Sequence, residues 1–142
     1  MTKPQPSSPA RNVYAADCPT RHVLDQLANK WTVLILGILH EGPQRHGAML
    51  RAAQGVSPRV LTRTLRDLER DGLVERRLLS ASPPAVEYSL SALGHELEEI
   101  VAPLRDWAER RVDDIHAARG HFDAHVPGQD RTPWQRPKPL PW

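Results

Sequence analysis

Residues 55–90 have the sequence GVSPRVLTRTLRDLERDGLVERRLLSASPPAVEYSL. Ser57 and Pro58 predict the start of a helix, because a serine hydroxyl caps a helix N-terminus and proline is tolerated at the first helical position. Gly72 predicts the end of that helix. Two β-prone segments follow, joined by a tip that contains two prolines. We therefore predict that the helix leads directly into a β-hairpin.

The helix predicted over 57–71 has two chemically different faces. Leu61, Leu65 and Leu68 recur at steps of four and three residues, so they share one face and anchor the helix to a core. Arginines and Thr62 occupy the other face. Such a helix, preceded by a tight turn and followed by a hairpin, predicts a winged helix-turn-helix, which places one helix in a DNA groove.

Arginine suits a DNA-contacting surface because its guanidinium pairs with phosphates and forms two parallel hydrogen bonds with guanine. The hairpin, predicted as strands over 73–79 and 86–90 with a tip over 80–85, adds two consecutive arginines on opposite faces of one strand. For any single arginine, a solvated surface charge is the alternative. The candidate DNA-binding residues are Ser57, Arg59, Thr62, Arg63, Arg66, Arg76 and Arg77.

Three shorter helices are predicted before this motif. Thr20 is expected to cap the first, with Val23, Leu24 and Leu27 on its inner face. The second begins near Lys30 and is apolar nearly all round, which predicts the central buried helix. The third covers 47–53 and precedes the tight turn.

A long helix, capped by Ser91, is predicted after the hairpin. Its apolar residues recur at three- and four-residue steps over a length that a small winged domain cannot cover, so we expect part of the stripe to contact a second subunit. Pro103 removes one backbone hydrogen bond and is expected to bend the helix. A helix folded back on its own domain is the alternative. The candidate dimer-interface residues are Val23, Leu27, Leu97, Ile100, Leu104 and Trp107.

The length of 142 residues suits one domain with a core and is too short for two ordinary ones. The predicted class is α+β, mainly α. We expect a disordered N-terminal arm over 1–16, a folded domain over 17–119 and a flexible tail over 120–142, because most of the 14 prolines lie near the ends. A single cysteine cannot form an internal disulfide, and neither a secretory signal nor an apolar run of membrane-spanning length is found. A cytoplasmic location is therefore the expectation.

Charge is unevenly distributed, although the formal net charge is only +2. Residues 45–79 contain eight arginines against four acidic residues, whereas residues 91–119 contain four basic residues against seven acidic ones. One part of the chain is therefore suited to a polyanion such as DNA. Two ordinary solvated helix surfaces are the alternative explanation.

A series of short motifs follows a specific order between Asp17 and Arg110. They are Cys18-Pro19, Lys30-Trp31, Leu34-Ile35, Arg45, Val56-Ser57, Leu61-Thr62, Leu65, Leu68-Glu69, Asp71-Gly72-Leu73-Val74, Pro83-Pro84, Val86-Glu87-Tyr88-Ser89-Leu90 and Leu93-Gly94. This order resembles the HxlR-type winged-helix transcriptional regulators, relatives of the MarR-like group. The resemblance covers nearly the whole predicted folded core.

This resemblance implies a cytoplasmic homodimer that binds an operator in double-stranded DNA through the fourth helix and the wing. It also implies dimer contacts from the first and last helices. In several members of the family, a cysteine just before the first helix responds to electrophiles, quinones or oxidants, and Cys18 occupies that position. One departure is His46, because the family often has an aromatic residue at the start of the third helix.

Cys18 is the only cysteine and lies just before the first predicted helix. A thiol reacts with oxidants as the thiolate, which a helix N-terminus and nearby positive charge favour. Arg21 and His22 lie one turn further on and favour the thiolate, whereas the adjacent Asp17 disfavours it. A small buried apolar side chain is the alternative role.

The sequence therefore predicts a sequence-specific DNA-binding transcriptional regulator, a homodimeric repressor whose operator binding is switched by oxidation or electrophile modification of Cys18. Two alternatives stay open: a small aromatic effector bound at the dimer junction with a structural Cys18, and a winged-helix module that binds another protein. No enzyme activity is predicted, because no base is positioned for Cys18 and no Gly-rich loop or nucleophile elbow is found. No cofactor, metal site or membrane contact is predicted, since the C-terminal histidines fit no tight ligand spacing.

Overall fold

A computed structural model describes residues 12–125 of the chain. Its elements, in chain order, are α1 Thr20–Ala28, α2 Lys30–His40, β1 Gln44–Arg45, α3 His46–Ala52, α4 Pro58–Arg70, β2 Val74–Ala81, β3 Pro84–Leu90 and α5 Ala92–His125. The chain forms two compact units whose boundary lies within α5: the first ends at His95 and the second begins at Glu96. Among the described residues, helices dominate and a single small sheet is present, which confirms the predicted α+β, mainly α class.

The core of the first unit depends on α2 and α4. Ile35 and Leu36 of α2 are fully buried, as are Leu61, Leu65 and Leu68 of α4. Burying a leucine or isoleucine side chain contributes about 1.5–3 kcal/mol relative to leaving it exposed. The predicted inward face of α4 is therefore confirmed, and its leucines fix which side of the helix faces outward.

Some expectations for the first two helices are wrong. Thr20 does not cap α1, because the cap position is taken by Pro19, which has no side-chain acceptor, and Thr20 is the first helical residue. Val23 and Leu24 are 47% and 50% exposed and Leu27 is only half-buried, so α1 contributes no buried residue. Periodicity identifies residues that share a face but not what that face contacts. Likewise, α2 is not buried all round, since Leu34 is exposed.

The sheet is antiparallel, with strand order β1-β3-β2. The two-residue strand β1 was not predicted, because it is too short to carry a period-two pattern and pairs with residues far along the chain. The predicted hairpin tip over 80–85 is also wrong in extent. Ser80 pairs with Ala85 and Ala81 with Pro84, so the strands continue almost to the turn. A proline is tolerated there because it is the first residue of its strand.

Ser91 joins the base of the wing to the start of α5. Its Oγ accepts a hydrogen bond from the backbone N–H of Gly94 at 3.0 Å, which confirms the predicted cap. The same hydroxyl donates to the carbonyl of Gly72, and the backbone N–H of Ser91 donates to the carbonyl of Leu73 at 3.1 Å. Ser91 therefore forms hydrogen bonds both with the turn that follows α4 and with the first turn of α5.

The second unit consists, in its described part, of α5 from Glu96 onward. The helix continues to His125, five residues past the predicted start of the tail at Gly120. A helix that has already formed adds residues at little cost, so one glycine does not stop it. Residues 1–11 of the predicted arm and 126–142 of the predicted tail lie outside the described residues.

Arg105 forms a two-pronged ion pair with Glu98 along α5, and Glu98 is buried. Such pairing satisfies a carboxylate that would be costly to bury alone. Within residues 12–125, no helix has the length and apolar character needed to cross a membrane.

Candidate nucleic-acid interface

The N-terminus of α4 is formed as the sequence predicts. The Oγ of Ser57 accepts a hydrogen bond from the backbone N–H of Val60 at 3.1 Å, and Pro58 occupies the first helical turn. No acidic residue lies in that first turn of α4. Free N–H groups and the helix dipole make such a terminus attractive to phosphate oxygens.

The outward face of α4 is a continuous polar surface. All four side chains predicted there from within the helix are exposed: Arg59, Thr62, Arg63 and Arg66. They belong to one shallow surface depression, whose lining residues are Pro58, Arg59, Thr62, Arg63, Arg66, Asp67 and Arg70. Four arginines against one aspartate give this depression a strongly positive character, which suits it to a polyanion. We define these seven residues as the α4 surface.

A histidine that the sequence analysis did not assign to the site contacts this surface. His46 begins α3, and its Nε2 lies 3.0 Å from the Oγ1 of Thr62. The Thr62 hydroxyl in turn donates to the carbonyl of Pro58 at 2.9 Å. A contact between residues 16 positions apart leaves no periodic signal in the sequence, so only the unusual identity of His46 pointed to it.

The wing carries its arginines in the predicted alternation. Arg77 is directly opposite Glu87 in the sheet, and Glu87 is also opposite Arg45 of β1. Directly opposed residues share a face of a sheet, so these three form a row of two arginines flanking one carboxylate. Arg76 is opposite Tyr88 and therefore lies on the other face. Arg45 thus joins the basic residues of the wing through β1, the strand that was not predicted.

Cys18 is free and 7% exposed. Hydrogen bonding from the Thr20 side chain holds the pKa of the Cys18 thiol below its ordinary value of 9.0, assisted by the backbone N–H groups of Thr20 and Arg21. Burial and the charge of Asp17 act in the opposite direction. The thiol pKa is therefore lowered by hydrogen bonds at the start of α1, as a helix N-terminus predicts, and not by the charges of Arg21 and His22. The Cys18 side chain is also buried, which the alternative packing role predicts.

His22, expected to favour the thiolate by its charge, is instead bound to another element. Its Nε2 lies 3.1 Å from both carboxylate oxygens of Asp71, the residue that follows α4. The side chains of His22 and Asp71 therefore connect α1 with the end of α4.

Comparison with known proteins agrees with this geometry. The family model described as "HxlR-like helix-turn-helix" matches residues 26–116. The uncharacterized HTH-type transcriptional regulator YtfH of Escherichia coli (strain K12) is 42% identical over 108 residues, which are 76% of this chain and 86% of that protein. The solved structure of ytfH from Salmonella typhimurium has a TM-score of 0.73 at 39% identity, covering 77% of this chain and 97% of that one.

A second solved structure connects the fold with redox regulation in another protein. The structure titled "Redoxregulator HypR in its reduced form" has a TM-score of 0.64 at 34% identity, covering 70% of this chain and 98% of that one. The predicted winged helix-turn-helix is confirmed by these likenesses. The chain is a transcriptional regulator with a helix-turn-helix, and it belongs to the HxlR-like helix-turn-helix family.

Proposed function

We propose that this protein is a homodimeric repressor that binds an operator in double-stranded DNA through α4 and the wing, and that modification of Cys18 releases it. The DNA-binding part of the proposal rests on the difference between the two faces of α4. Its leucines are fully buried while Arg59, Thr62 and Arg63 are exposed in one basic depression. A helix held in this way presents long donors to a major groove.

The individual residues have different expected roles. Ser57 caps α4, and Arg59, Thr62 and Arg63 lie in its N-terminal half, which in helix-turn-helix proteins contacts base edges. Arg66 lies further along and is assigned to phosphate. Arg76 and Arg77 of the wing are assigned to backbone or minor-groove contacts, which position the protein without specifying sequence.

The dimer is proposed from exposed apolar side chains on two helices. Ile100 is 71% exposed, and Leu104 and Trp107 lie on the same face of α5 at spacings of four and three residues. Leu97, one turn earlier, is half-buried. On α1, Val23 is exposed and Leu27 half-buried. Large apolar side chains that recur along a helix face indicate a subunit contact.

A dimer also matches the DNA, because two α4 helices about 34 Å apart contact half-sites separated by one helical turn. Leu104→Glu is expected to shift sedimentation toward the monomer, whereas Glu109→Lys, on the opposite face of α5, leaves it unchanged. A Leu104→Glu protein that stays dimeric at the same concentration would assign the contact elsewhere.

The proposed switch uses the thiolate of Cys18. The thiolate adds to a ring carbon of a quinone, and the electron pair moves onto a quinone oxygen, which takes a proton from solvent. The attacked carbon then loses its proton and the second oxygen gains one, which gives a hydroquinone thioether. Alternatively, a peroxide oxidises the thiolate to a sulfenate and is itself reduced to water. Cys18 is only 7% exposed and interiors are closely packed, so an aromatic adduct requires the surroundings of Cys18 to move when it forms.

Hydrogen bonds within the first unit connect Cys18 with the end of α4, which supports a route for the proposed switch. The carbonyl of Cys18 accepts the backbone N–H of Arg21 at 3.1 Å, so displacement of the cysteine disturbs the first turn of α1. One residue further on, His22 contacts Asp71 at the end of α4. Movement of α1 therefore either breaks that contact or shifts the end of α4.

The experiment is a salt-controlled DNA-binding titration with the duplex upstream of the protein's own gene. Reduced and quinone-treated wild type are compared with Cys18→Ser under both conditions. We expect reduced wild type to bind, treatment to release it, and Cys18→Ser to stay bound. Binding that responds to treatment in neither protein would leave the DNA-binding proposal standing and make Cys18 a packing residue.

Two further variants separate the α4 surface from net charge alone. Arg63→Ala removes one positive charge from the surface, and Arg110→Ala removes one from α5. Only Arg63→Ala is expected to weaken specific binding strongly. Equal, small effects of both would assign Arg63 to general electrostatic attraction, and steep salt dependence without any sequence preference would remove the operator from the proposal. A lack of binding to any duplex would favour the protein-interaction module.

A ligand-responsive regulator is the second candidate, and one surface feature favours it. A shallow depression lies between the N-terminal segment and α1, lined by Val13, Tyr14, Arg21, Leu24 and Asp25. An exposed aromatic ring, an apolar side chain and a guanidinium are groups that hold a small aromatic acid. Release of DNA by such a compound from Cys18→Ser protein would favour this candidate over the thiol switch.

A further inference from the structure

His46 contacts Thr62, one of the residues to which the proposed function assigns a base contact. Its Nε2 lies 3.0 Å from Thr62 Oγ1, and that hydroxyl lies 2.9 Å from the carbonyl oxygen of Pro58. A carbonyl oxygen cannot donate, so the one hydroxyl hydrogen of Thr62 is directed to Pro58. The contact with His46 must then use an Nε2–H that donates to Thr62.

These two hydrogen bonds limit the further hydrogen bonds that the Thr62 hydroxyl can form. A hydroxyl has one hydrogen and two lone pairs. The hydrogen is committed to Pro58 and one lone pair to His46, so a single lone pair remains for DNA. Thr62 is exposed on the α4 surface and can accept one hydrogen bond from a base but donate none.

The backbone around His46 is held in place by long-range pairing. Its predecessor Arg45 is in β1, which is paired with β3 at Glu87. His46 itself starts α3, whose Met49 is fully buried one turn later. The backbone at His46 is therefore held by the sheet on one side and the core on the other, and the imidazole contacts α4 through Thr62.

We propose that His46 is a specificity-determining residue that makes Thr62 an acceptor-only contact. The base group that Thr62 recognises is then an exocyclic amino group in the major groove, N6 of adenine or N4 of cytosine, rather than the N7 of a purine. This inference rests on the proposed function, because it requires α4 to lie in the major groove.

The test uses the full-length protein and an operator selected by the wild type from a randomised duplex library. Thr62→Val first identifies the base pair whose discrimination depends on Thr62. At that pair, analogue duplexes lacking the amino group are compared with 7-deaza analogues lacking the purine N7. We expect wild type to lose binding about 3- to 10-fold without the amino group and to be unaffected by the 7-deaza change. Sensitivity to the 7-deaza change alone would overturn the proposal.

Variants of His46 then test whether His46 determines which base group Thr62 recognises. His46→Phe removes the donor and restores the aromatic residue that the resemblance leads one to expect, while His46→Gln keeps an N–H near the position of Nε2. Discrimination at the Thr62 base pair is expected to fall about 3- to 10-fold in His46→Phe and to be retained in His46→Gln. Because discrimination is a ratio measured within each variant, a general loss of affinity or stability cancels.

The base pair contacted by Arg63 serves as the internal reference, and its discrimination is expected to stay unchanged in every His46 variant. In the Thr62→Val background, His46→Phe is expected to have no further effect. An equal loss of affinity on all duplexes, or additive effects of the two substitutions, would make His46 a phosphate contact or a packing residue. If wild type selects no sequence from the library, the proposed function itself fails, which is a different result.

Discussion

Replacing Gly94, near the start of α5, with alanine is expected to destabilise the protein, although helix propensity alone predicts that the substitution stabilises it. Gly94→Ala in a helix interior is ordinarily stabilising by about 0.8–1 kcal/mol. Here a Cβ on residue 94 would overlap the carbonyl oxygen of Leu73, and it would lie 3.1 Å from that carbonyl carbon and 3.3 Å from Leu90 Cδ2. The obstructing atom belongs to the backbone, so it cannot move aside as the end of a flexible side chain would.

The expected magnitude follows from three contributions. Overpacking of this kind costs about 1–3 kcal/mol. The same Leu73 oxygen accepts the backbone N–H of Ser91, and loss of that hydrogen bond costs about 0.5–1.5 kcal/mol. After the gain in helix propensity is subtracted, Gly94→Ala is expected to destabilise the protein by about 0.5–3.5 kcal/mol.

Urea unfolding followed by circular dichroism measures this change, with all proteins at one concentration because a dimer's stability depends on it. Gly120→Ala is the matched control, since it lies in the same helix and an added Cβ meets nothing within 4 Å. That control is expected to be neutral or stabilising by up to about 1 kcal/mol. A Gly94→Ala protein as stable as wild type would refute the close approach of α5 to the wing base.

Three other predictions test the anchoring of α4 and the state of the thiol. Leu61→Ala should lower the free energy of unfolding by about 2–5 kcal/mol, and a neutral result would contradict the burial of that face. Ser57→Ala should cost about 0.5–2 kcal/mol through loss of the cap on Val60, whereas Ser57→Asp should retain most of it. The rate of Cys18 alkylation by iodoacetamide should rise with pH to a midpoint below that of an unperturbed cysteine thiol, because hydrogen bonds lower the Cys18 pKa. Thr20→Val should move that midpoint upward because the thiolate loses its main donor, and an unmoved midpoint would exclude this role for Thr20.

The parts of the fold that were predictable depend on local signals. The leucines of α4 repeat at helical spacing, the cap at Ser57 lies next to the helix it starts, and Ser91 does the same for α5. Each of these signals lies within a few residues of its consequence. Local chemistry therefore sufficed to place the helix and to separate its buried face from its exposed one.

The parts that were not predictable depend on contacts between distant residues. β1 exists because Gln44 and Arg45 pair with β3, and two residues carry no detectable strand pattern. The bond from His46 to Thr62 and that from His22 to Asp71 require the fold before they can be seen. Whether Val23 on α1 faces its own domain or another subunit was also not predictable, because periodicity identifies the residues that share a face but not what that face contacts.

The wing has a fixed end and an open end, and this difference bears on how the sequence can change. At the base, Ser91 and Gly94 fit the carbonyl of Leu73 so closely that an inserted residue would break several contacts together. At the tip, Ser82 and Pro83 are exposed and lie beyond the last strand pair. Exposed turns accept insertions more readily than packed junctions do. Evolution and protein engineering can therefore lengthen or shorten the reach of this wing without altering the point from which it extends.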